Sequence, residues 1–193
     1  MQTHELILIV DYGSQYTQLI ARRIREQHVF SRIITPGDLT TQRLEQERPK
    51  GVILSGGPAS VYQPNAPLPP RDIFDAGTPI LGICYGMQAM ATRLGGQVEA
   101  RGTREYGKAL LTVEQPDGLF HETKPRFVSW MSHGDSVIRL PEGFHVLART
   151  GNTPAAAIAN PARKLYALQF HPEVIHTEEG PTILRNFLFR ICG

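Results

Sequence analysis

Apolar residues follow two rhythms along this chain. Leu6 to Val10 is an unbroken run, Leu-Ile-Leu-Ile-Val, of the kind a strand carries when both faces of its sheet are covered. After a turn at residues 11–15, Leu19, Ile20 and Ile24 recur on one side of a helix whose other side carries Arg22, Arg25 and Glu26. Val29 to Ile34 predicts a second strand, Leu39 to Glu47 a second helix, and Val52 to Leu54 a third strand that runs into Ser55-Gly56-Gly57-Pro58. Ile80, Leu81 and Ile83 form a fourth strand that meets Cys84, and a helix-forming segment follows as far as Gly95. Strands alternating with helices predict a wound α/β sheet.

Past Gly95-Gly96 the rhythm changes. Strand-like runs at Leu110 to Val113, Phe127 to Met131, Phe144 to Arg149, Ala155 to Ala159 and Lys164 to Phe170 have few helical patterns between them. They predict antiparallel additions beside or extending the parallel sheet. Pro181 to Ile191 reads as a final helix with Ile183, Leu184, Phe187, Leu188 and Ile191 on one face. Pro64 to Pro70 is a proline-rich surface loop and no domain boundary, because the strands on either side complete one sheet. A length of 193 residues fits one α/β domain over 1–193.

Composition narrows the partners. A net charge of +2 implies no electrostatic search for nucleic acid. No signal-type segment opens the chain and no apolar run approaches a membrane span, so a cytoplasmic protein is expected. The two distant cysteines, Cys84 and Cys192, make no disulfide framework, and in that compartment Cys84 stays reduced.

The chemistry gathers at strand ends. Gly82-Ile83-Cys84-Tyr85-Gly86 is the thiol counterpart of the G-x-S-x-G nucleophile elbow, in which flanking glycines let the backbone bend and expose the central side chain. A thiol there lies near a helix N-terminus, where the dipole favours the attacking thiolate. The alternative is a buried apolar cysteine. Ligands in open α/β sheets bind outside the carboxyl ends of strands, so the loop at Ser55 to Pro58 should neighbour the elbow. The N–H groups of Gly57 and Tyr85 then supply an oxyanion hole. Of the seven histidines, His171 stands at a strand end with Glu173 two residues on, a spacing that turns both side chains to one side in extended backbone. His171 is the candidate base and Glu173 its orienter. The pair also fits a solvated surface pair.

Gly-Ile-Cys-Tyr-Gly-Met-Gln at 82–88, Ser-Gly-Gly-Pro at 55–58 and Gln-Phe-His-Pro-Glu at 169–173 resemble, in order, the three motifs of the class I, triad-type glutamine amidotransferases. Two further stretches, from Asp11 to Arg23 and from Trp130 to Asp135, are similar to the amidotransferase domain of GMP synthetases. The resemblance implies a flavodoxin-like fold, with a central, mostly parallel sheet flanked by helices and additional antiparallel strands. It implies a glutaminase in which Cys84 attacks the side-chain amide of L-glutamine, with His171 as general acid and base. It also implies that Gln88, Ser132, His133 and Asp135 contact the substrate. His133 serves equally to fix a loop and Asp135 to cap a turn, and Trp130 and Met131 read as core. Arg22, Arg23 and Arg25 read as a solvated helix face.

The resemblance further implies an ATP-pyrophosphatase domain or subunit of GMP synthetase as partner, aminating XMP to GMP. The Ser-Gly-Gly-x-Asp-Ser phosphate loop of that domain does not occur among these 193 residues. No cofactor or metal is therefore expected in this stretch, and ATP and Mg²⁺ belong to the missing synthetase domain. Whether the chain is a separate subunit or an excised domain stays open. So do three alternatives: a γ-glutamyl-type cysteine hydrolase, the glutaminase component of another synthase, and a flavodoxin-like binding module with an inert Cys84.

Overall fold

The computed structural model describes residues 5–116 and 118–193, with the side chains of residues 101–103 outside the description. The run at Leu6–Val10 forms β1, buried at every position, with α1 at Thr17–Glu26 and β2 at Phe30–Ile34 completing the opening unit. The second helix, α2, spans Thr41–Glu47. Thr40 caps it, its side chain accepting from the Arg43 N–H at 3.1 Å, so the helix starts two residues after the expected Leu39. β3 at Gly51–Leu54, β4 at Ile80–Ile83 and α3 at Tyr85–Arg93 follow.

The second half departs further from expectation. β5 extends over Gln97–Val113 and β6 over Arg126–Arg139, far longer than the apolar runs near the end of the one and the start of the other. The two pair as an antiparallel ribbon in which residues 101–104 of β5 stand opposite Gly134 alone. Much of the ribbon is solvated on one side, so polar residues fill it and hydropathy marks only the end where residues 110–112 pair with 126–128. β7 at His145–Arg149, β8 at Ala157–Asn160 and β9 at Leu165–Leu168 return to the sheet. The last helix, α4, runs over Gly180–Asn186 and widens into a π-helical turn at Phe187–Ile191.

All nine strands form one sheet in the order β2-β1-β3-β4-β9-β8-β7-β5-β6. The first five are parallel and the rest join antiparallel. Strand alternation divides the core. Ile7, Ile9, Ile53, Leu81 and Ile83 pack with Ile20 and Ile24 of α1 and with Ile183 and Leu184 of α4, whereas Leu8, Val10, Val52, Leu54 and Ile80 pack with Leu44 of α2 and with Met87 and Met90 of α3. The result is a sheet between two helical layers. Because β1, β3, β4 and β9 are neighbours, the loops leaving their carboxyl ends meet on one rim. Among the described residues no helix is long and apolar enough to cross a membrane.

Candidate active site

The sharp turn after β4 places Cys84 at φ 52° and ψ −107°, a conformation that a residue with a Cβ adopts at a cost of about 1–3 kcal/mol. Close packing enforces it. A Cβ on Gly86 would overlap the Leu54 carbonyl, and one on Gly82 would lie 2.7 Å from the Gly86 backbone. The strand end of β9 holds the elbow from the other side, since the Cys84 N–H donates to Leu168 O at 2.7 Å. The sulfur lies 3.6 Å from Ser132 O and acts electrostatically on the His171 ring.

His171 follows β9 and is 3% exposed. Its Nδ1 lies 2.7 Å from Glu173 Oε1, with Glu173 almost fully buried behind it. The sequence expectation of extended backbone is corrected here, because Pro172 and Glu173 lie in a turn that folds the carboxylate back under the imidazole. Burial works against the charged ring, but the Glu173 carboxylate and the Cys84 sulfur outweigh it and hold the His171 pKa well above the ordinary histidine value. A raised folded pKa adds stability that is fully present below the unfolded value of about 6.5 and is lost as pH rises through the folded one. Glu173→Gln is therefore expected to cost on the order of 1–3 kcal/mol more at pH 6 than at pH 10, measured by urea denaturation. Equal losses at both pH values would remove the imidazolium from the pair.

Gly56 and Gly57 from the loop after β3 complete the rim. A Cβ on Gly56 would stand 3.1 Å from His171 Cε1 and 3.6 Å from Cys84 Cβ, and one on Gly57 would meet Tyr12 O at 2.6 Å. Only glycine lets this loop approach the thiol. The N–H groups of Gly57 and of Tyr85, the first residue of α3, have no acceptor among the described residues. The Tyr85 side chain points away, its ring 5.1 Å from that of Tyr12 and its hydroxyl donating to Pro67 O.

Gln88, Ser132, His133 and Asp135 join Cys84, His171 and Gly57 in lining a cleft of about 640 Å³, an ordinary size for a small-molecule site. Gln88 Nε2 donates to Asp135 O at 3.0 Å and to Gln169 Oε1 at 3.3 Å, which occupies both amide protons and leaves Oε1 as the acceptor of this cleft-lining side chain. Asp135 Oδ1 accepts from the Tyr62 hydroxyl at 2.9 Å. Met131 is core, as expected, whereas Trp130 is half-buried and stacks on His176 with ring centroids 4.5 Å apart.

The sequence reading missed several neighbours. Ser14 and Tyr16 come from the loop after β1, and the Tyr16 ring meets His171 edge-on at 5.1 Å. The strand-end rule that singled out Gly57 applies equally to this loop and would have found it. Arg104 and Tyr106 reach the cleft from β5, whose length was not foreseen. Arg23 is also reassigned, since its Nε donates to Glu173 O at 3.0 Å, whereas Arg22 and Arg25 are exposed on the helix face as expected, Arg25 donating to Ser31 O. No group of three or more His, Cys, Asp or Glu side chains among the described residues is placed to hold a metal ion.

Known proteins are similar to this chain along its length. The chain is 55% identical over 188 residues to a GMP synthase (glutamine-hydrolyzing) of Thermosynechococcus vestitus, covering 97% of this chain and 35% of that protein. It is 52% identical over 193 residues to the protein of that name from Treponema denticola, covering 37% of it. The chain thus spans about a third of the length of these curated relatives. A Thermoplasma acidophilum structure described as a GMP synthase subunit superposes with a TM-score of 0.82 at 31% identity, covering 98% of this chain and 94% of that one. A Thermotoga maritima glutamine amidotransferase, at 19% identity and a TM-score of 0.77, shares the fold. With the family described as Glutamine amidotransferase class-I matching residues 8–191, which include the elbow, the glycine loop and the His171 turn, this chain belongs to the class-I glutamine amidotransferases.

Proposed function

We propose that this chain hydrolyses the side-chain amide of L-glutamine and hands the ammonia to an ATP-pyrophosphatase domain or subunit that aminates XMP to GMP. The observation that carries the proposal is the meeting of a strained Cys84 elbow with the buried His171–Glu173 pair in one cleft. The Cys84 thiolate attacks the amide carbon, and the carbonyl oxygen takes the negative charge against the Gly57 and Tyr85 N–H groups. His171, held as an imidazolium by Glu173, gives its proton to the departing nitrogen, which leaves as ammonia. A glutamyl thioester remains on Cys84. Neutral His171 then takes a proton from water, the resulting hydroxide attacks the thioester, and the proton returns to the sulfur as glutamate departs. Asp135 and Arg104 put opposite charges on the cleft wall, which suits the zwitterionic end of a free amino acid. Gln88 Oε1 adds an acceptor for its ammonium.

Incubation with glutamine and with a glutamine-mimicking chloroketone, followed by ammonia assay and intact mass, tests the glutaminase. One label at Cys84 and release of glutamate support it. A preference for γ-glutamyl peptides over free glutamine moves the chain to the cysteine hydrolases, and no label at all leaves a binding module. Acceptor delivery is tested separately. Ammonia release is expected to be slow for the chain alone and to rise when the ATP-pyrophosphatase partner, ATP, Mg²⁺ and XMP are added, because a partner that completes the oxyanion geometry limits wasteful hydrolysis. A full rate without the partner refutes this gating. Stimulation by a different synthase instead keeps the glutaminase and rejects the GMP assignment.

A further inference from the structure

Glu105 is a buried carboxylate that the proposed chemistry leaves unused. It sits on β5 directly across from His133 on β6, at the point where the ribbon register shifts. Burying a carboxylate is costly unless its oxygens are partnered, so the partners indicate what it holds. Thr150 Oγ1 donates to Oε1 at 3.0 Å and Thr153 Oγ1 to Oε2 at 2.6 Å. Both threonines belong to the turn between β7 and β8. Among the described residues the one basic side chain beside it is His133, whose Nε2 lies 3.6 Å from Oε2.

His133 passes the contact onward. Burial lowers its pKa below the ordinary value, against the opposing pull of the Asp135 carbonyl and of Glu105, so the ring is neutral at physiological pH. Its Nδ1, 2.9 Å from Asp135 O, then carries the proton and donates it there, a tautomer assigned from the surrounding hydrogen bonds. The same carbonyl accepts from Gln88 Nε2. The chain of contacts runs from the β7–β8 turn through Glu105 and His133 to residues 132–135 and across to α3. It ends 3.6 Å from the thiol, at Ser132 O.

We infer that Glu105 is a positioning residue for glutamine, holding the Thr150 and Thr153 hydroxyls of the β7–β8 turn against His133 so that residues 132–135 and Gln88 keep a fixed distance from Cys84. The inference rests on the glutaminase reading, in which these residues receive the amino-acid end of the substrate. Glu105 touches neither substrate nor thiol, so its loss weakens recognition more than chemistry. Charge is not what the arrangement requires. Thr153 Oγ1 lies 2.6 Å from the carboxylate and 3.4 Å from His133 Nε2, and its single proton serves only one of them. In Glu105→Gln the side-chain oxygen accepts from the threonines and the amide offers an N–H to Nε2.

Cys84 alkylation by the glutamine-like chloroketone, compared with iodoacetamide, which lacks an amino-acid end, separates recognition from thiol reactivity. Glu105→Ala is expected to raise KM for glutamine about tenfold and to slow chloroketone labelling as much, with kcat and iodoacetamide labelling within about threefold of wild type. Glu105→Gln should restore KM to within about threefold. Thr153→Val, which removes one supporting hydroxyl at nearly constant shape, should move KM in the same direction by less, and it serves if Glu105→Ala does not fold. Wild-type KM and labelling selectivity in folded Glu105→Ala or Thr153→Val overturn the inference alone. A wild-type chain inert to the chloroketone overturns the glutaminase reading and this inference with it.

Discussion

Cys84→Ala is expected to remove ammonia release by at least about 10⁴-fold while leaving the far-ultraviolet circular dichroism unchanged. Ser14, Ser60 and Ser132 also line the cleft, yet none stands on a turn that exposes it as the elbow exposes Cys84, and the His171 ring is engaged by Glu173 and the Cys84 sulfur. The loss should be chemical and not structural. Alanine keeps the Cβ, so the cost of a φ of 52° remains in the variant. Glycine does not bear that cost. Cys84→Gly should therefore be equally inactive but more stable than Cys84→Ala by up to about 1 kcal/mol, seen as a higher melting temperature, since glycine takes positive φ freely. Together the two variants test whether the strain at position 84 exists to present the thiol. Ammonia release surviving in either folded variant places the reaction at another residue, and a Gly variant less stable than the Ala variant means that the turn is not strained.

The parallel half of the fold was legible because its signals are local and consistent. An unbroken apolar run such as Leu6 to Val10 admits little but a doubly covered strand, and all five of its residues are buried. The elbow was legible for a similar reason, since Gly82 and Gly86 are demanded by backbone contacts two residues either side of Cys84. What stayed hidden depends on partners distant in sequence. Nothing local tells Glu105 from a surface glutamate, because its burial comes from Thr150 and Thr153 more than forty residues away. Arg23 looked like its solvated neighbour Arg22 until the turn after β9 brought the Glu173 carbonyl to it. The length of β5 and β6 was hidden because a ribbon partly solvated on one side carries polar residues at positions where a buried strand carries apolar ones. His171 and Glu173 were paired correctly for an incomplete reason, since a turn and not an extended segment brings them within 2.7 Å.

That turn sets the expected hierarchy within the pair. His171→Ala should lower glutaminase activity nearly as far as Cys84→Ala, because it removes the group that both takes and gives the proton. Glu173→Ala should lose less, on the order of 10²- to 10³-fold, because the imidazole can still exchange protons but no longer has its tautomer, orientation and charge supported. Two other contacts hold the backbone at 171 after that substitution. The His171 N–H donates to Trp130 O at 3.0 Å, and Thr177 Oγ1 donates to His171 O at 2.6 Å while accepting from the Trp130 N–H, so the backbone at 171 is tied to β6 independently of the carboxylate. The His171→Ala, Glu173→Ala double variant should consequently be little worse than His171→Ala alone, since an orienter without its base has nothing left to orient. Steady-state ammonia release from the three variants, with circular dichroism to establish folding, decides it. Losses that multiply in the double variant would mean that Glu173 acts on the reaction by a route that does not pass through His171.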